Sequence, residues 1–113
     1  MLTMEKLKSW GADVDDGMKR CLNNEAMYLR LVNKFLQAAS FERLPEALSS
    51  HDLEAAFQAA HDLKGSAANL GLAPILGPVS QMTEQLRARR EMDYGPDLEK
   101  LLRERDALKS LAE

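Results

Sequence analysis

From Glu25 onward, apolar residues return every three or four positions, the spacing of a helix buried along one side. Met27, Leu31, Phe35 and Ala38 form one stripe, flanked by Tyr28, Val32 and Leu36, and predict a helix from Glu25 to about Ala39. A shorter amphipathic segment precedes it, with Asp13 as N-cap and Asn23-Asn24 as its stop. Ser40 is placed to cap a helix to about Ser49, whose early turns tolerate Pro45. Ser50-His51-Asp52 reads as a polar hinge, and Asp52 as the N-cap of a helix that ends at Gly71. Pro74 opens the next helix, to about Arg90, and Gly77-Pro78 predicts a kink or a delayed start. Asp93-Tyr94-Gly95-Pro96 is a turn before a last helix, to about Leu111, striped by Leu98, Leu101, Leu102 and Leu108.

Alternation with period two is absent, and β-branched residues are sparse, so the fold class is all-α. Short connections between amphipathic helices favour antiparallel neighbours. The expected architecture is an antiparallel four-helix bundle with an additional short N-terminal helix. One domain over residues 1–113, its core at roughly 13–112, accommodates the chain. Met4, Met18, Met27 and Met82 read as core fillers, as do Tyr28, Phe35 and Phe41, while Trp10 is placed to cover one end of the bundle.

Composition narrows the function classes. A net charge of −3 gives no general affinity for nucleic acid or an anionic membrane. No apolar run approaches the ~18 residues of a membrane span, and the first residues lack the pattern of a signal peptide. The single cysteine, Cys21, suits a reducing compartment. A cytoplasmic, monomeric protein is the expectation, and Met1 with the compact length favours a free-standing one.

Candidate chemistry gathers on the helix ending at Gly71. With about 100° per residue, Ala56, Ala59, Ala60, Leu63, Ala67 and Leu70 cluster roughly 150° from His61. His61 therefore points to water. Lys64 and Gly65 stand one turn beyond it on either flank. Glycine inside a helix costs roughly 0.5–1 kcal/mol relative to alanine, and this helix uses alanine freely elsewhere. On the water side the gap has no packing purpose, so it reads as a clearance beside the imidazole. Neutral imidazole is a nucleophile, a phosphoryl group bound to it wants a cation, and in-line transfer needs an open approach. His61, Lys64 and Gly65 supply those three requirements, and Ser66 adds a candidate hydroxyl.

Other constellations are weaker. His51 lies in the hinge without such neighbours and reads as a solvated loop residue. Two histidines and a distant cysteine make no zinc spacing, so no metal site is expected. Asp15-Asp16 reads as favourable charge at a helix N-terminus. A hydrolase with His61 as base lacks a convergent carboxylate or nucleophile.

The run His61-Asp62-Leu63-Lys64-Gly65-Ser66-Ala67-Ala68-Asn69-Leu70-Gly71 closely resembles the signature of histidine-containing phosphotransfer (HPt) domains. Gly11 to Arg20, Tyr28-Leu29 and Phe35-Leu36 also look like the lead-in of bacterial members, so the similarity covers nearly the whole chain. The resemblance implies a phosphorelay intermediate. His61 would take a phosphoryl group from a receiver-domain aspartate or a kinase and give it to another receiver, with Lys64 as charge stabiliser and Gly65 as access residue. It implies response-regulator receivers or a hybrid sensor histidine kinase as partners, Mg²⁺ on the receiver and no cofactor on this chain. Nucleotide-binding motifs are absent, so no ATP-dependent kinase activity is expected. Phe57, Gln58, Ala68 and Leu72 would form the docking surface. Many members place a glutamine on the next helix against the imidazole; the aligned position is Thr83, with Gln81 and Gln85 close by. The alternative is an interaction module that sequesters a receiver or kinase without accepting phosphate.

Overall fold

Side-chain caps set where most of the helices begin. Thr3, Asp13, Asn24 and Asp52 each accept a hydrogen bond from the backbone N–H three residues on, at Lys6, Asp16, Met27 and Ala55. A computed structural model describes the whole chain, Met1–Glu113, as seven helices and no strand. They are α1 (Met4–Trp10), α2 (Val14–Arg20), α3 (Glu25–Phe35), α4 (Ser40–Ser49), α5 (Leu53–Leu70), α6 (Ala73–Arg87) and α7 (Gly95–Ala112). Gly11 and Gly71 end α1 and α5 in the left-handed conformation, at φ 117° and 68°.

Three local expectations change. The segment before Asp13 contains a helix of its own, α1, held by the Thr3 cap and by the complete burial of Leu7. Ser40 lies inside α4 and does not cap it, because the chain enters α4 directly from the turn at 36–39, and Ala39 precedes the helix without a side-chain bond. At Gly77-Pro78, α6 runs on without a break. Pro78 forfeits one backbone bond but buries its ring in the core, and Pro74 occupies the first turn, where no such bond is lost.

The helices form a bundle around α5, which packs against α4 on one side and α6 on the other, with α7 against α6. Ala56, Ala59, Ala60 and Ala67 let the neighbours approach closely, and Leu63 and Leu70 fill between them. Ile75, Val79, Met82 and Leu86 of α6 and Leu101 and Leu108 of α7 complete one continuous core. The bundle's end at the α5–α6 turn is closed by α1 and α2. There the Asp13 N–H donates to the Gly71 carbonyl at 2.7 Å, and the Tyr28 hydroxyl donates to the Leu70 carbonyl at 2.7 Å. Gly17 lies so close that an added Cβ would sit 2.5 Å from both the Leu70 oxygen and the Tyr28 ring. Trp10 ties α1 to α7 through a 3.0 Å bond from its indole N–H to Glu104. No helix is long and apolar enough to cross a membrane.

Two stability predictions follow from this junction. Gly71→Ala forces an L-residue into the left-handed region and drives its Cβ into the Asp13 carbonyl; the urea midpoint should fall by the equivalent of about 2 kcal/mol or more. Burial, with Cys21 and Asp13 nearby, pushes the Tyr28 hydroxyl up to about 12. The unfolded chain then ionises Tyr28 first, so its contribution is intact below pH 10 and is lost as pH rises from 10 through 12. Unfolding measured across that range should show Tyr28→Phe with a shallower decline than the wild type.

Candidate functional site

His61 lies near the middle of α5 on the side away from the alanine face, and it is exposed. Its side chain makes no hydrogen bond within the protein. It stacks on Phe57, one turn back, with ring centroids 5.6 Å apart and planes inclined by 20°. That contact follows from helix geometry, since side chains lean toward the N-terminus and meet the residue four positions earlier.

Gly65 behaves as the helical wheel requires. A Cβ built there meets nothing within 4 Å, so neither packing nor backbone conformation demands glycine. Lys64 and Ala68 are half-buried and project within about 20° of the Phe57 direction around α5. Ser66 turns about 140° from His61 and lines a groove with Leu31, Lys34 and Phe35 of α3. Gln58 is exposed and lines a second groove, with Arg43 and Glu46 of α4.

Other expected members of the site lie elsewhere. Leu72 is fully buried at the α5–α6 turn and offers no docking surface. Its neighbour Gly71 sharply reverses the chain, and the side chain falls into the core. Thr83 is level with His61 along the antiparallel pair but is also fully buried, and its hydroxyl donates to the Val79 carbonyl at 2.6 Å. Gln81 is exposed, and Gln85 turns about 160° from Arg87, whose guanidinium lies over Phe57. The Gln85 side-chain oxygen is buried without a partner. None of the three makes a hydrogen bond to the imidazole.

The structure adds residues that helix periodicity did not bring in. The guanidinium of Arg87, at the end of α6, lies 5.1 Å from the Phe57 centroid, and that of Arg89 lies 5.2 Å away. Arg87 pairs with Glu84 at 3.1 Å, and Arg89 pairs with Glu54 of α5. Arg89 adopts a left-handed backbone, φ 55°, and donates to the Leu86 carbonyl at 2.6 Å. The cluster of arginines at 87–90 was visible in the sequence, but only the register of α6 on α5 brings two of them to Phe57.

The family model of the Hpt domain matches residues 30–111. Comparison with curated proteins and with solved structures finds no match. The match spans α4 to α7 and most of α3, the helices that build the bundle and present the His61 face, and on that ground the chain belongs to the Hpt-domain family.

Proposed function

We propose that this chain is a phosphorelay intermediate with His61 as the phospho-acceptor. Hpt domains are phosphotransfer modules and not kinases, which places the chain in histidine phosphotransfer signalling. The observation that carries the assignment to His61 is an exposed imidazole beside an empty position, Gly65, on an otherwise alanine-rich helix. Gly65 costs helix stability and serves no packing need, and an incoming phosphoryl donor supplies the need.

In the forward step a lone pair of a ring nitrogen bonds to the phosphorus of a receiver's aspartyl phosphate. The P–O bond to the carboxylate breaks, and its electron pair stays on the aspartate. The other ring nitrogen keeps its N–H proton, so the reverse step, in which a second receiver's aspartate oxygen bonds to the phosphorus and the P–N bond breaks, releases neutral imidazole. Lys64, one turn away, meets the charge on the phosphoryl oxygens. The receiver brings Mg²⁺ and the acidic pocket; this chain contributes the nucleophile, the cation and the clearance. A response-regulator receiver and a hybrid sensor kinase are the partner classes that fit.

Incubation with a radiolabelled phospho-receiver should transfer acid-labile label to the wild type and none to His61→Gln. Label retained by that variant overturns the assignment, and a wild type that binds the receiver without accepting label supports sequestration instead. Gly65→Gln should keep or slightly raise the melting temperature, because its Cβ meets open space, while transfer slows by about two orders of magnitude. Transfer at the normal rate in that variant removes the clearance argument.

A further inference from the structure

We infer that Phe57 is a positioning residue for His61, itself seated by Arg87 and Arg89. The inference rests on the phosphotransfer reading and adds to it how the imidazole is aimed. An exposed histidine on a helix ordinarily samples more than one χ1 well and a broad range of χ2. A nucleophile that must attack in line loses rate for every orientation that points the ring nitrogen elsewhere. His61 has no hydrogen-bonding side chain to select one orientation, and Thr83, level with it on α6, spends its hydroxyl on Val79. The remaining restraint is the near-parallel stack on Phe57, at 5.6 Å and 20°.

That restraint is useful only if Phe57 is itself fixed, and the structure shows how it is. Phe57 is half-buried, and two guanidinium groups lie against its ring at 5.1 and 5.2 Å. Arg89 is held in turn by Glu54 and by the Leu86 carbonyl, and Arg87 by Glu84. The chain of contacts runs from the C-terminal end of α6, through Phe57, to the imidazole on α5. With three groups converging on its ring, Phe57 is an internal support more than a bare apolar patch awaiting a partner.

The test separates aiming from docking by using phosphoramidate, a small phosphoryl donor that needs no protein interface, alongside a phospho-receiver. Phe57→Leu keeps apolar bulk and removes the ring; Phe57→Tyr keeps the ring; Phe57→Met serves if the leucine variant fails to fold. In the wild type and Phe57→Tyr, the His61 ring-proton resonances should be displaced by the neighbouring ring current, and in Phe57→Leu they should return to the values of a solvated helical histidine. Phosphorylation by phosphoramidate should fall about tenfold in Phe57→Leu and be restored in Phe57→Tyr. A phosphoramidate rate equal to wild type, with loss confined to receiver affinity, makes Phe57 a docking contact and overturns the inference. Unchanged His61 resonances in Phe57→Leu overturn it as well. A wild type that takes phosphate from neither donor overturns the phosphotransfer reading itself, while the resonances still decide whether Phe57 holds the ring.

Discussion

The structure depends most on the way the C-terminal end of α5 is held. Its last carbonyls would be unpaired at a helix end. Here Leu70 receives the buried Tyr28 hydroxyl, and Gly71 receives the Asp13 N–H. Both bonds require close backbone approach, which the absence of side chains at Gly17 and Gly71 permits. Because α4 and α6 both pack on α5, fixing this end fixes the register of the helices that surround His61.

The same helix divides its labour between two faces. Toward the core it presents alanines, which bring α4 and α6 near, and two leucines that seal the gaps. Toward water it presents His61 and the space at Gly65, with Lys64 and Phe57 half-buried to one side. The small core-facing residues bring α4 and α6 close against α5, and the side turned away from the core carries the stack of His61 on Phe57.

Much of this was legible in the sequence, for physical reasons that can be named. Asp13 and Asp52 cap as expected, Gly71 terminates as expected, and the alanine arc of α5 is the buried face, because periodicity and caps are local properties. The exposure of His61 followed from the same wheel. What failed depended on neighbours. Leu72 had an apolar side chain near the motif, but the turn after Gly71 sends it inward. Thr83 had the right position along α6 and the wrong depth. Pro78 lies in an unbroken helix because its ring gains core contacts that local rules do not count. The arginines on Phe57 depend on two helices meeting in one register, which no single segment encodes.

The open face on α5 carries one imidazole, with no second acceptor beside it. Under the proposed function, a donor and a recipient must therefore occupy the same few square nanometres in turn. On that reading the two partners cannot dock at once, and the phosphoryl group stays on His61 between visits. Each partner excludes the other by occupying that face, so the flow of signal is governed by the ratio of the two partners in the cell as well as by the affinity of either.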